Sequence, residues 1–255
     1  MLKFSANLSL LFSELPFMER FAAAKAAGFD AVEVQFPYDG PAQEMRDELV
    51  IHVLPLVVIN APPPNYTGGP RGFAAVPGQE ARFRSDFRRV LRYAQVLKPL
   101  HLHVMAGASD APEARACFIE NLRWACAEAP NHSFLIEPIN RGDMPGYFLA
   151  DYDLAAEVIA EVGAPNLGLQ FDFYHAQKIT GDAQAAWARH GGATRHVQIA
   201  QTPQRSEPDA GEIDYPAVFA GLKAGGYAGY IGAEYIPAET TEAGIGWLEK
   251  AKAGT

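Results

Sequence analysis

The sequence predicts an α/β chain folded as a single domain, a (β/α)8 or TIM barrel over residues 1–255. Three observations carry that expectation. Short apolar runs alternate with amphipathic helical stretches, eight of each, which argues for a parallel sheet. The length of 255 residues is usual for such a barrel, and no shift in composition marks a second domain. An open nucleotide-binding sheet would need a glycine-rich loop after its first strand, and there is none.

The elements follow in order. Residues 2–8 read as the first strand, so the N-terminus shows no signal-peptide pattern. A helix starts at Pro16 with Phe17, Phe21 and Ala24 on one face, and Gly28 ends it. Strand two, residues 30–36, alternates Val32, Val34 and Phe36 against Ala31, Glu33 and Gln35. A helix over 41–50 leads to strand three at 53–59. Residues 60–78 form a long Pro- and Gly-rich loop, a length that usually signals function or disorder. The next helix carries Phe83, Phe87, Val90, Leu91, Ala94 and Leu97 on one face and leads to strand four, 100–105. A helix over 112–129 precedes strand five, the stretch Phe134-Leu-Ile-Glu137-Pro-Ile-Asn140. Helix 152–162, strand six at 167–172, helix 182–190 and strand seven at 195–200 come next. A polar loop over 201–214, helix 215–223, strand eight at 230–234 and helix 241–250 complete the chain.

Bulk properties exclude several function classes. A net charge of −9 and a pI near 5.3 disfavour nucleic acid and anionic membranes as partners. No apolar run approaches the roughly 20 residues of a membrane helix. Cys117 and Cys126 fall in one expected helix, about 13 Å apart, too far to bridge. A reduced, cytoplasmic protein is the simplest reading. Trp124, Trp187 and Trp247 fall in helices, to pack or to cover subunit contacts, and a homo-oligomer is left open.

The chemistry is expected where four strands end. Glu137, Asp172, Gln198 and Glu234 each close an apolar run, and a buried charge there is costly unless paired or metal-bound. By the two-residue period of a strand, Glu137 goes with Leu135, Asp172 with Gln170, Gln198 with His196 and Glu234 with Gly232. All four tips then converge at the C-terminal mouth of the barrel. Three crowded carboxylates repel one another, and a divalent cation resolves that conflict. An all-oxygen set suits Mg²⁺ best, with Mn²⁺ as the alternative. Any one of the four, alone, is equally readable as a loop-end or salt-bridge residue. Arg71, Arg205 and His175 are the cations this acidic chain could turn to an anionic ligand. His101 and His103 share one side of strand four and read as inward-facing polar residues, and Glu33 is expected to pair with Lys3 inside the barrel.

The chain resembles the hydroxypyruvate isomerase family of xylose-isomerase-like barrels over nearly its whole length. The resemblance rests on Phe4-Ser-Ala-Asn-Leu-Ser, Arg71-Gly with Pro77-Gly-Gln, His103-Val-Met-Ala-Gly, Ile136-Glu-Pro-Ile-Asn, Gln170-Phe-Asp-Phe-Tyr-His175, His196-Val-Gln-Ile-Ala, Arg205-Ser-Glu-Pro, Gly211-Glu-Ile and Glu234-Tyr with Thr241-Glu-Ala-Gly. It implies that Glu137 and Glu234 are the acid/base pair and, with Asp172 and Gln198, hold the metal. His175 and Arg205 fall where such barrels contact substrate oxygens, and Asn60 joins Arg71 among the expected substrate contacts. The chain departs at Ile59-Asn60, where many relatives carry His-Asn, and at Ala200-Gln201-Thr202, where an acidic residue often follows the alanine. The expected reaction interconverts a small 2-oxo acid, hydroxypyruvate to tartronate semialdehyde, through an enediolate. A 2-oxo-tetronate isomerase is the alternative within the family. A ketose 3-epimerase usually places histidine at the position of Gln198, an abasic-site nuclease needs a histidine-rich zinc cluster, and a sugar-acid sensor would bind without exchange of hydrogen.

Overall fold

A computed structural model describes residues 1–61 and 70–254. Of the long loop expected over 60–78, residues 62–69 lie outside the described part. Eight strands close on themselves in chain order: β1 (Lys3–Asn7), β2 (Ala31–Val34), β3 (Leu56–Asn60), β4 (His101–His103), β5 (Ser133–Ile136), β6 (Leu167–Asp172), β7 (Thr194–Ile199) and β8 (Tyr230–Ala233). Every neighbouring pair is parallel, with β1 hydrogen-bonded to β8. The expected barrel is therefore present, and its strands are buried on both faces as a helix-wrapped parallel sheet requires.

The outer layer comprises α1 (Glu19–Ala26), α2 (Ala42–Ile51), α3 (Glu80–Leu97), α4 (Ala114–Glu128), α5 (Tyr152–Val162), α6 (Phe173–Thr180), α7 (Ala183–His190), α8 (Tyr215–Ala224), α9 (Thr241–Gly244) and α10 (Gly246–Ala253). Aromatic side chains seal helices to strands. Trp124 meets Phe83 and Phe87, Trp187 meets Phe171 and Phe173, and Trp247 meets Phe4, Phe29 and Tyr235. All three tryptophans thus pack, as expected. None of the described helices is long and apolar enough to cross a membrane.

Two departures from the expected elements have local causes. The sequence pattern missed α6, because it starts on the residue after β6 with no linker between them. Asp172 is both the last residue of β6 and the N-cap of α6, its Oδ1 accepting the Tyr174 amide at 2.8 Å. The last helix is two pieces, α9 and α10, joined at Ile245.

A third departure concerns the barrel interior. Lys3 does not pair with Glu33; it is exposed, with its amine over the Tyr230 ring. At the start of β1 the ammonium keeps its hydration, which burial would remove at high cost. Glu33 instead accepts from the Ser5 hydroxyl on Oε1 and from Gln198 Nε2 on Oε2 at 2.8 Å, and His196 Nε2 lies 2.9 Å from Oε1. Gly232 makes that arrangement fit, since a Cβ there would collide with the Glu33 carboxylate.

Candidate active site

The sequence-predicted residues gather at the C-terminal ends of the strands. Glu137 follows β5 directly, Asp172 ends β6 and Glu234 follows β8. All three carboxylates are buried. Glu234 is well supplied with donors: Asn7 Nδ2 at 3.0 Å and Gln35 Nε2 at 2.7 Å on Oε1, and Arg205 Nη2 at 2.7 Å on Oε2. Asp172 Oδ2 receives the same Arg205 nitrogen at 3.4 Å, and the His175 Nε2 lies 3.7 Å from it. Among the described residues Glu137 accepts one hydrogen bond, from Gln170 Nε2 to Oε2 at 2.9 Å, with His103 Nδ1 3.6 Å from the same oxygen, while its buried Oε1 meets no partner among them.

Electrostatics follow from that crowding. Burial, reinforced by the charges of Glu234 and Asp172, drives the Glu137 carboxyl well above the ordinary range. Burial also pushes Asp172 up to about 7, with Arg205 opposing and Glu234 adding to the shift. Burial works against the Arg205 charge, but Glu234, Asp172 and Glu137 together raise its pKa above the ordinary value. Arg205 itself adopts a left-handed backbone with φ of +58°, and its guanidinium lies over the Tyr174 ring at 5.1 Å. A non-glycine residue held there marks a position the surroundings over-determine.

The remaining expected residues are placed as follows. Gln198 points into the barrel, with Oε1 accepting from Gln170 Nε2 at 2.7 Å and Nε2 donating to Glu33, so one lone pair of its oxygen is left to offer. His175 sits in the first turn of α6, buried, with burial and the Arg205 charge holding its pKa well below the ordinary value. Asn60 ends β3, and its Oδ1 lies 3.1 Å from His103 Nδ1. Arg71 is exposed at the rim with its guanidinium 5.8 Å from the Phe36 ring centre. His101 and His103 face inward as expected. Burial, then the charge of His196, lowers both to about 3, so they are neutral. Gln201 turns back to bind the main chain of Asp209, Ile213 and Thr202, a loop staple.

Sequence reasoning missed several residues that hold the site. Asn7 and Gln35 grip Glu234, Gln170 grips Glu137, and Asn140 grips His175. Strand parity puts Gln35 on the side of Glu33 and Gln170 on that of Asp172, which was the available signal. No period marks Asn140, which lies in a loop.

A divalent cation fits these residues. Glu137 Oε1 is a buried acceptor with no donor among the described residues, three buried carboxylates lie around one guanidinium, and the available ligand atoms are mostly oxygens. Atoms of Glu137, Asp172 and His175 lie within 4.8 Å of one another, the one such group of His, Cys, Asp and Glu among the described residues.

Comparison with known proteins identifies the family. Residues 21–251 match the family model described as xylose isomerase-like TIM barrel. A 2-oxo-tetronate isomerase of Cupriavidus necator is 46% identical over 97% of both chains. The hydroxypyruvate isomerase of Escherichia coli is 38% identical over 98% of this chain and 99% of its own. A Brucella melitensis crystal structure titled AP endonuclease, family 2, superposes with a TM-score of 0.94 at 42% identity, covering 98% of this chain and 99% of that one.

Proposed function

From the premise that the chain belongs to the xylose isomerase-like TIM barrel family, we propose that it is a metal-assisted isomerase of a small 2-oxo acid. The observation that carries this reading is the buried trio Glu137, Asp172 and Glu234 around one arginine, with an oxygen of Glu137 left unpaired. Glu137, Asp172, Gln198 and Glu234 would hold the cation, Mg²⁺ by preference and Mn²⁺ as the alternative. When bound, it supplies Lewis-acid polarisation of neighbouring carbonyl and hydroxyl oxygens.

The protein's own groups do the rest. One of Glu137 and Glu234 takes the proton from the hydroxyl-bearing carbon, and the other returns a proton to the adjacent carbon. A planar enediolate between the two carboxylates links the steps. The pair exchange roles in the reverse direction. Arg205 keeps Glu234 in place with its 2.7 Å contact, and Asn7 and Gln35 hold the opposite oxygen. Arg71 at the rim supplies a cation for the substrate carboxylate.

The sequence put hydroxypyruvate first and 2-oxo-tetronate second. The 46% identical relative favours the four-carbon acid, so it moves to the front here. Proton NMR in D₂O with hydroxypyruvate and a panel of 2-oxo-tetronates tests the proposal. The expected result is isomerisation of at least one acid, with deuterium incorporated at carbon. Binding without exchange on any acid would overturn it.

The name of the Brucella protein, AP endonuclease, raises a second reading, abasic-site cleavage. The only candidate cluster among the described residues holds one histidine, and the charge of −9 opposes DNA. Cleavage of an abasic duplex with stoichiometric zinc would favour that reading.

A further inference from the structure

We propose that Asn140 is a positioning residue that locks His175 as the neutral tautomer with its proton on Nε2, so that His175 faces the cavity as a hydrogen-bond donor and not as a metal ligand. The inference rests on the reading of that cavity as a cation and substrate site.

The distances alone suggest otherwise. Glu137, Asp172 and His175 are close enough to form a three-ligand centre. Proton inventory excludes the histidine. A neutral imidazole has one N–H and one lone pair, so whatever faces one nitrogen decides the other. His175 Nδ1 is met by two groups of Asn140: the backbone N–H at 3.4 Å and the side-chain Nδ2 at 2.7 Å. A backbone amide can only donate. Its partner Nδ1 must therefore keep its lone pair, and the proton resides on Nε2.

The side-chain amide points the same way. Asn140 Oδ1 accepts from the backbone N–H of Asp143 at 3.0 Å, and Nδ2 also reaches Asp143 Oδ2 at 3.1 Å. Rotating that amide would set its oxygen against a carboxylate and its NH₂ against an N–H. Asp143 is itself fixed, by Lys178 at 2.7 Å and by the Tyr174 hydroxyl at 2.8 Å. The tautomer is thus assigned from the hydrogen-bond network, in which the reversed amide has no satisfied arrangement.

The arrangement is the reverse of the usual one for a metal-bound imidazole. There the second nitrogen donates its proton to a carboxylate, carbonyl or water, which leaves the first nitrogen's lone pair for the metal. Here the second nitrogen accepts. The Nε2 proton is left on the side of Asp172 Oδ2, 3.7 Å away, where it can reach that carboxylate or a substrate oxygen. The ligands then available to a cation are oxygens.

Two spectra of the same protein test this. Long-range ¹H–¹⁵N correlation on metal-free protein with ¹⁵N-histidine, His175 assigned through His175→Asn, should show Nε2 protonated and Nδ1 bare. Asn140→Ala keeps the backbone donor and should keep that pattern. Asn140→Asp places a carboxylate oxygen against Nδ1 and should move the proton there. Pulsed EPR of Mn²⁺-loaded wild type should show no directly coordinated nitrogen. Wild-type His175 protonated on Nδ1 would overturn the proposal, as would a bound-nitrogen signal that vanishes in His175→Asn. If Mn²⁺ fails to bind, the functional reading falls, while the metal-free spectrum still decides the tautomer. If Asn140→Asp fails to fold, the two wild-type spectra decide.

Discussion

Glu33 and Glu137 are both buried carboxylates inside the same barrel, yet their surroundings are opposite. Both oxygens of Glu33 are occupied, by Ser5 and Gln198, with His196 alongside. Glu137 has one amide on Oε2, with His103 3.6 Å away, and none of the described residues on Oε1. Glu33 is thus part of the scaffold, linked through Gln198 and Gln170 to the carboxylate above it. Glu137 is left with an unmet demand for positive charge. Within one fold, a satisfied carboxylate builds the site and an unsatisfied one works in it.

The contrast can be broken first at its catalytic end. Glu137→Gln and Glu234→Gln should each lower kcat by about 100- to 10,000-fold, the usual worth of a positioned acid or base. The melting temperature of Glu137→Gln should stay level or rise, because the substitution removes a buried carboxylate crowded by Glu234 and Asp172 with one oxygen unpaired among the described residues. A melt and a steady-state assay on the same sample check both halves. Glu33→Ala should do the converse. It strands Gln198 and the Ser5 hydroxyl, at a cost of about 3–5 kcal/mol read from urea unfolding. Equal stability losses for the two glutamates would erase the distinction.

pH sharpens it further. Burial pushes Asp172 up to about 7 in the folded protein, above the ordinary carboxylate value of about 4. Between those values the folded state holds a proton that the unfolded state has released, so stability falls as pH rises. Metal-free wild type should therefore lose stability from about pH 4 to about pH 7, and Asp172→Asn should remove that part of the slope. Urea melts in EDTA at several pH values read the difference. Added Mg²⁺ should stabilise more at pH 8 than at pH 5.5, since below about 7 it competes with protons for the same carboxylate. The smallest effect belongs to Arg71, exposed at the rim. Arg71→Ala should raise KM about tenfold for an anionic substrate and leave that for a neutral ketose nearly unchanged. Equal shifts for the two substrates would remove Arg71 from carboxylate recognition.

Much of this was legible in the sequence because strand periodicity is a local property. All eight strands and the mouth positions of Glu137, Asp172 and Glu234 follow from apolar runs and the two-residue alternation. The boundary of α6 did not, since Asp172 serves as strand end and helix cap at once. Nor did the partner of Glu33: Lys3 was expected to meet it inside the barrel, whereas the start of β1 leaves Lys3 exposed. Asn140 was invisible for a different reason. Its role depends on a loop returning its amide to a histidine 35 positions later, and no period encodes such a meeting.

The claim that Glu137 is an unfilled ligand position is tested most directly by calorimetric titration of Mg²⁺ into metal-free wild type and Glu137→Gln near pH 8. The expected result is saturable binding at a single site in wild type and its loss in Glu137→Gln. Equal binding by the two proteins, or none by either, would contradict it.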